Sequence, residues 1–233
     1  MNQENVFLNG EGDAWFQRNH KANEPPVINH SRRMLGNWIE ENCKNIKNIL
    51  EIGAGSGYPL AYLAELCKSK GKGIEPSSQA IKCWREREYM KSTDVELIKG
   101  VASNLPFETS TFDMVGFGFC LYLIDRADIY RAMIEADRVL RTGGYMYIED
   151  FDPISKYKNR YRHKEGLISY KEKYFRYMSD SGNYTIIKHS SYGFTKDTFE
   201  INEDERVSMT LLYKEKGHLE NSPNFRAKLD NEK

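Results

Sequence analysis

The chain lacks several features that would assign it at once to a large class of proteins. Its 34 basic and 34 acidic residues cancel to a formal net charge of zero, so no global attraction to nucleic acid or an anionic membrane is expected. No apolar run approaches the roughly 18 residues that span a bilayer, and the first ten residues lack the basic and apolar blocks of a signal peptide. These absences predict a cytoplasmic protein that acts on a small molecule.

Paired cysteines are also absent. The four cysteines, Cys43, Cys67, Cys83 and Cys120, are scattered and form no C-x-x-C pair. Reduced thiols are therefore expected, rather than a metal site or a disulfide framework. At 233 residues the chain is long enough to bury a substantial core without cross-links. One sizeable domain is predicted, as a monomer or homodimer, with no metal.

The sequence does contain one stretch, NILEIGAGSGYPLAY at positions 48 to 62, that is typical of a strand, a glycine loop and a helix. In a parallel α/β sheet this order presents bare backbone and a helix N-terminus to a ligand. Its glycines are Gly53, Gly55 and Gly57, a spacing that differs from the G-x-G-x-x-G of dinucleotide-binding folds. The carboxylate of Glu51 beside the loop would repel a pyrophosphate but suit an ammonium or sulfonium group.

This pattern, E-x-G-x-G-x-G, resembles the first motif of the class I S-adenosylmethionine (SAM) dependent methyltransferases. The resemblance covers roughly residues 48 to 150 and rests on five segments in the expected order, ending with VLRTGGYMYIED. It implies an α/β, Rossmann-like fold with a seven-stranded, mostly parallel sheet, helices on both faces and an antiparallel C-terminal strand pair. It also implies SAM as the cofactor and S-adenosylhomocysteine as its product.

The resemblance assigns the donor site residue by residue. Glu75 follows the glycine loop by about twenty residues, where an acid accepts hydrogen bonds from both ribose hydroxyls. Val101 stands where the superfamily has the acid of a Gly-Asp-Ala turn, so the adenine contact falls to Ser103, Asn104 or backbone groups. The residues predicted to contact the cofactor are Trp15, Arg18, Glu51, Gly53, Ala54, Gly55, Gly57, Glu75, Pro76, Val101, Ala102, Ser103 and Phe119.

The chain divides into a cap at residues 1–47, the core at 48–150, a substrate-side insertion with the final strands at 151–216, and a polar tail at 217–233. In the cap, Trp15 and Phe16 either fold over a ligand or anchor the segment to the core, and Arg18 either pairs with a carboxylate or is exposed. The helix after the glycine loop is expected to end near Gly71, with neighbouring lysines as its C-terminal cations. Short strands are expected at Tyr184 to His189 and Arg206 to Tyr213.

The run YRHKEGLISYKEKY at positions 161 to 174, with GDAWFQRN in the cap, resembles a methyltransferase subgroup associated with bacterial surface-sugar and capsule biosynthesis. That resemblance implies that the acceptor is a hydroxyl of a sugar, a sugar nucleotide or a phosphorylated precursor. His163 is the first candidate for the general base, since its unperturbed pKa of about 6.5 leaves it mostly neutral. Tyr122, Asp150 and Asp152 are the reserves. The residues predicted to bind the substrate are Tyr122, His163, Tyr170 and Lys171.

Three alternatives remain open at this level. The chain could methylate a nitrogen instead of an oxygen, bind SAM without catalysis as a partner of another protein, or use a nicotinamide dinucleotide on a similar sheet. A nucleic-acid substrate is disfavoured, because no Asn-Pro-Pro-Tyr type signature follows the fourth strand.

Overall fold

The computed structural model describes residues 2–19, 28–87 and 93–216. The predicted polar tail at 217–233 lies outside the described residues. A π-helical segment, Phe7–Glu11, joins the first two helices, and a 3₁₀ turn covers Leu121–Leu123. The α-helices of these ranges are α1 (Gln3–Val6), α2 (Gly12–Asn19), α3 (His30–Asn42), α4 (Tyr58–Cys67), α5 (Ser78–Glu86), α6 (Ile129–Val139) and α7 (Arg176–Ser179).

Seven strands form one sheet, and two more form a separate hairpin. The strands are β1 (Asn48–Ile52), β2 (Lys70–Glu75), β3 (Val95–Lys99), β4 (Phe112–Gly118), β5 (Leu140–Phe151), β6 (Tyr157–Arg160), β7 (Ile168–Lys171), β8 (Tyr184–Gly193) and β9 (Arg206–Lys214). The sheet order is β3-β2-β1-β4-β5-β9-β8. The β5–β9 and β9–β8 pairs are antiparallel and the other pairs in this sheet are parallel. The predicted fold class is therefore confirmed.

The sheet has an apolar core on each face, as expected where parallel strands are buried on both sides. On one face, Leu50 and Val115 pack with α6 in a cluster that includes Met133. On the other, Ile49 and Met114 pack with residues of α3 and α4. Because side chains alternate along a strand, neighbouring apolar residues in β1 and β4 serve opposite cores.

Strand β2 is longer than the sequence indicates. The helix α4 ends at Cys67 rather than near Gly71, and the following residue, Lys68, adopts a left-handed conformation with φ of 51°. A Cβ atom at Gly73 would lie 2.3 Å from the Leu97 side chain and 2.7 Å from Ala54. The glycines in this segment therefore allow close packing within a strand, whereas the sequence pattern of glycine and lysine had been interpreted as the end of a helix.

The N-terminal segment, residues 2–19, is docked on the sheet domain by polar contacts. Gln3 is buried and donates from Nε2 to the carbonyl of Leu123 at 2.8 Å. Asp13 accepts hydrogen bonds at Oδ1 from the Ser77 hydroxyl at 2.7 Å and from the Gln79 backbone at 2.9 Å, at the start of α5. This docking places the segment over the carboxyl ends of the parallel strands.

Candidate cofactor site

A cavity of about 720 Å³, including solvent at its mouth, lies beyond the carboxyl ends of β1 to β4. Its position is the one at which open α/β sheets bind ligands. The predicted cofactor residues that line it are Trp15, Gly53, Gly55, Glu75, Pro76, Val101, Ala102 and Phe119. The sequence pattern therefore brings most of its predicted donor site together.

The glycine loop keeps its shape because three positions have positive φ angles: 75° at Gly53, 52° at Gly55 and 77° at Gly57. A Cβ at Gly53 would lie 2.6 Å from the Cβ of Cys120, and one at Gly57 would lie 2.3 Å from the Trp84 ring. The sequence reasoning attributed the glycines to the approach of a ligand. At these two positions the chain itself occupies the space.

Glu75 lies at the end of β2, where the sequence places it. Its Oε2 accepts a hydrogen bond from the Gly55 backbone at 2.8 Å, and its Oε1 accepts one from the Ser77 backbone at 2.9 Å. Burial raises the pKa of Glu75 to about 7, against the effect of these two hydrogen bonds. Each carboxylate oxygen keeps a further lone pair, so both can still accept from a pair of ligand hydroxyls.

Two predicted cofactor residues lie outside the cavity lining because each carries an ion pair elsewhere. Arg18 donates to Glu11 at 2.5 Å and to the Tyr161 hydroxyl at 3.1 Å. Glu51 is buried against Arg32 of α3, with 2.5 Å between Oε1 and Nη2. The cation that Glu51 meets in the structure is Arg32, and a contact between Glu51 and a ligand cation stays a prediction.

The remaining predicted cofactor residues, Ala54, Gly57 and Ser103, are adjacent to the lining without belonging to it. Sequence reasoning missed Glu4, a cavity residue contributed by α1. Ser103 holds Glu4 through its hydroxyl at 2.5 Å and more loosely through its backbone N–H at 3.3 Å. Glu4 and Ser103 are 99 positions apart, and a lone glutamate near the start of the chain carries no motif that would have identified it.

An aromatic cluster stands at the edge of the cavity. Phe119, which lines the cavity, has a left-handed φ of 56°, a strained conformation for an aromatic residue. Its ring lies 5.3 Å from that of Tyr122, 5.1 Å from that of Phe151 and 5.4 Å from that of Phe194. We call these four residues the aromatic cluster. Strained backbone of this kind concentrates at ligand sites.

None of the three predicted catalytic residues belongs to the cavity lining, although Tyr122 is part of the aromatic cluster at its edge. His163 is exposed in the turn after β6, with its ring 5.3 Å from that of Tyr161. Burial raises the pKa of the Tyr122 hydroxyl above its usual value, so it stays protonated. Burial raises the pKa of Asp150 to about 8, and its carboxylate accepts from the backbone of Phe151 at 2.8 Å and Tyr122 at 3.2 Å. Asp150 therefore supports the loop around Tyr122.

Of the predicted substrate residues in the hairpin, Lys171 is the one nearest to the aromatic cluster. Its Nζ lies 3.8 Å from the centre of the Phe151 ring and donates to the Asp204 carbonyl at 2.8 Å. Burial lowers the pKa of Lys171. The side chain of Tyr170 packs against Arg126, whose guanidinium lies 4.2 Å from the centre of the Tyr170 ring.

Two further properties concern the described part of the chain. None of its helices is long and apolar enough to cross a membrane. Its His, Cys, Asp and Glu residues do not gather into a group of three that would hold a metal ion.

Comparison with known families gives a match over the central part of the chain. Residues 50–148 match the family model described as a methyltransferase domain. Over these residues the chain is similar to a methyltransferase domain. The match also supports SAM as the cofactor, since the glycine loop and Glu75 fall inside the matched range.

Curated relatives and solved structures agree with this match. The chain is 33% identical over 108 residues to a fatty-acid O-methyltransferase of Mycolicibacterium smegmatis, covering 46% of this chain and 38% of that one. It is 34% identical over 127 residues to the chloroplastic 2-phytyl-1,4-beta-naphthoquinone methyltransferase of Arabidopsis thaliana, covering 52% and 47%. The chain thus spans less than half the length of these relatives.

In fold, the chain is similar to the 1,6-didemethyltoxoflavin-N1-methyltransferase of Burkholderia thailandensis, solved with its substrate and S-adenosylhomocysteine. The TM-score is 0.69 at 12% identity, over 91% of this chain and 88% of that one. This similarity in fold covers more of the chain than the match over residues 50–148 does.

Proposed function

We propose that the protein is a SAM-dependent methyltransferase that acts on a small-molecule acceptor. The observation that carries the proposal is a single cavity lined by the glycine loop, Glu75 and Phe119, the member of the aromatic cluster that the other three rings surround. The loop and Glu75 suit a nucleoside donor with two ribose hydroxyls. The aromatic cluster, at the edge of the same cavity, suits an apolar acceptor.

The acceptor class follows from the chemistry around that cluster. Phe194 is 62% exposed, so it leaves a flat apolar surface open beside Phe119. Lys171 adds one ammonium group next to Phe151. An acceptor with an aromatic or lipid-like body and an acidic oxygen would use both features. The printed names of the relatives, a fatty-acid and a naphthoquinone methyltransferase, support the same class.

Bound SAM supplies a methyl group already activated on a sulfonium, so the chain mainly has to position the acceptor and exclude water. The aromatic cluster and Trp15 serve both purposes, since Trp15 hydrogen-bonds the Tyr122 hydroxyl across the cavity edge. An acidic acceptor loses its proton readily, and the ammonium of Lys171 favours the resulting anion. Such an acceptor has no need of His163 as a base.

The surface-sugar and capsule hypothesis remains a prediction of the sequence at 161–174. The names of the relatives do not support it, and two of its residues, His163 and Tyr170, lie outside the cavity lining. Sugar nucleotides therefore belong in the substrate test as the competing acceptors.

The test measures transfer of a radiolabelled methyl group from SAM to phenols, quinols, fatty acids, amines and sugar nucleotides. We expect transfer to the acidic apolar acceptors. Lys171→Met should raise KM for these at least tenfold, whereas Lys158→Met, an exposed lysine of β6, should leave it unchanged. Transfer confined to sugar nucleotides would restore the capsule hypothesis and refute the acceptor class proposed here.

A companion experiment separates the function classes. S-adenosylhomocysteine should bind the folded protein in calorimetry, and NAD should not compete with it. Absence of binding would refute the methyltransferase proposal, whereas binding without transfer to any acceptor would favour the non-catalytic partner. His163→Ala should retain kcat within about threefold, because loss of a general base typically costs about 10² to 10⁴ in rate.

A further inference from the structure

Two of the residues that line the cavity carry carboxylates, and the proposed donor contacts employ one of them. Glu75 is assigned to the ribose hydroxyls. Glu4 projects into the same cavity from α1, although the core of the methyltransferase domain at 50–148 does not contain it. Ser103 donates to both oxygens of the Glu4 carboxylate, and each oxygen keeps a further lone pair that a ligand N–H could use.

The position of Glu4 is set by two anchors. Its carboxylate accepts from Ser103, immediately after the Val101 and Ala102 that line the cavity. The preceding residue, Gln3, is fixed to the Leu123 carbonyl and, through its backbone N–H, to Asp125 at 2.8 Å. Glu4 is therefore held between the exit of β3 and the turn after β4.

That end of the cavity is otherwise apolar. The cavity residues contributed by these two segments include Val101, Ala102, Leu123 and Ile124, none of which has a side-chain hydrogen-bond acceptor. Strand β3 is the neighbour of β2 in the sheet, so this end of the cavity lies beside the ribose contact proposed at Glu75. Adenine is flat and apolar, and its edge carries an exocyclic amino group with two N–H donors.

We propose that Glu4 accepts a hydrogen bond from the exocyclic amino group of the donor's adenine and selects adenine over other purines. The contact replaces the one that Val101 cannot make. Glu4 is half-buried, and burial raises the pKa of its carboxyl group against the hydrogen bond from Ser103. A ligand N–H donor would favour the carboxylate form in the same way as the Ser103 hydroxyl does.

The inference about Glu4 rests on the proposed function. The test uses two ligands, so that failure of the inference can be told apart from failure of the proposed function. Affinities are measured by calorimetry for S-adenosylhomocysteine and for its 6-deamino analogue, in which hydrogen replaces the amino group. Glu4→Ala should lower the affinity for S-adenosylhomocysteine by about ten- to a hundredfold. The same substitution should change the affinity of the 6-deamino analogue by less than about threefold.

A third ligand should bind more tightly when the carboxylate of Glu4 is removed. The 6-oxo analogue of S-adenosylhomocysteine presents a carbonyl oxygen where adenine has its amino group, so Glu4 should repel it. Glu4→Gln keeps the size of the side chain and can donate from its amide. This variant should therefore bind the 6-oxo analogue at least tenfold more tightly than the wild type does.

A matched control separates recognition from support of the loop. Ser103→Ala removes the bond between the loop and Glu4 but leaves the carboxylate, so discrimination against the 6-deamino analogue should persist. Equal weakening of both ligands by Glu4→Ala would show that Glu4 only supports the loop, and would overturn the inference. If Glu4→Ala does not fold, Glu4→Gln with the 6-oxo analogue decides the matter. Failure of the wild type to bind S-adenosylhomocysteine would instead overturn the proposed function.

Discussion

The side-chain amide of Gln3 pairs with both backbone groups of Ile168. Its Oε1 accepts from the Ile168 N–H at 2.6 Å and its Nε2 donates to the Ile168 carbonyl at 3.1 Å. Gln3 thus takes the place of a neighbouring strand for β7. A single buried side chain of α1 ties the β6–β7 hairpin to the sheet domain through the Leu123 carbonyl, to which it also donates.

Replacement of Gln3 should therefore loosen the hairpin. Gln3→Leu keeps the volume but leaves backbone groups of Ile168 and Leu123 without a partner, so we expect a loss of about 2–3 kcal/mol in the free energy of unfolding. Urea denaturation measures the loss, and hydrogen exchange at the Ile168 amide locates it. Gln17→Leu removes one exposed bond to Gln79 and should cost less than about 0.5 kcal/mol. Similar values for the two variants would contradict the role of Gln3.

The affinity for S-adenosylhomocysteine should depend on pH through Glu75. The ribose hydroxyls donate to the ionised carboxylate, and its pKa in the ligand-free protein is raised to about 7. Below that pH the carboxyl must first lose its proton, so the affinity should fall by up to about tenfold per pH unit and level off above about 7. Glu75→Gln should bind more weakly and remove this pH dependence. Calorimetry at several pH values measures these affinities. A wild-type affinity that does not depend on pH would refute the assignment of Glu75 to the ribose hydroxyls.

Glu75 should also make the stability of the ligand-free protein depend on pH, and this stability should fall with rising pH, whereas the affinity for S-adenosylhomocysteine rises. Because burial raises the pKa of Glu75, the folded state holds a proton that the unfolded state has lost between about pH 4.5 and 7. Its contribution to stability is therefore fully present at low pH and is lost as the pH rises toward 7. Glu75→Gln should become more stable relative to the wild type over this window, as measured by urea denaturation. A constant difference between the two proteins would contradict this prediction.

The ion pair between Arg32 and Glu51 should be costly to break. Both side chains are buried, and Arg32 also lies 3.4 Å from Glu149. Arg32→Leu strands these acids without a cation and should lower the free energy of unfolding by about 3–5 kcal/mol. Adding Glu51→Gln should recover part of this loss. Lys196→Leu, which removes an exposed pair with Glu200, should change stability by less than about 1 kcal/mol; an equally small effect of Arg32→Leu would exclude a buried charge network.

Gly12 should be needed for docking of the N-terminal segment. A Cβ there would lie 2.8 Å from the Phe7 carbonyl and 3.2 Å from the Ser77 nitrogen, and neither backbone group can move independently. Overpacking typically costs about 1–3 kcal/mol. Gly12→Ala should therefore weaken the binding of S-adenosylhomocysteine by a similar free energy, while the circular dichroism spectrum of the protein stays unchanged. Asn9→Ala, at an exposed position of the same segment, should keep the affinity within about threefold. Unchanged affinity in Gly12→Ala would show that docking of the segment does not form the site.

The central part of the fold could be predicted from the sequence because its signals are local. The strand, glycine loop and helix at 48–62 follow one another, and Glu75 lies at a fixed distance beyond them. The partner of Glu51 could not be predicted for the opposite reason, since Arg32 reaches it from α3 and only the packed fold shows that contact. Glu4 was missed because its partner Ser103 lies across the domain.

The segment at 70–73 shows a second kind of limit. Alternating glycine and lysine is typical of a helix end, yet here it belongs to β2, where Gly73 leaves room for Leu97 and Ala54. Glycine and lysine have a low intrinsic preference for strands, and the packing between α4 and the sheet outweighs that preference here. The predicted general base His163 is a similar case, because its position in an exposed turn depends on how the β6–β7 hairpin folds.

The N-terminal segment has one more consequence, for the order in which ligands bind. It contacts the donor cavity through Glu4 and Trp15, and it contacts the acceptor side through Gln3 and through Arg18, which holds Tyr161. Because one segment contributes to the walls on both sides, we expect the affinities for donor and acceptor to be coupled, and such a coupling is reciprocal. Under the proposed function, S-adenosylhomocysteine should therefore change the affinity for the acceptor by the same factor by which the acceptor changes the affinity for S-adenosylhomocysteine.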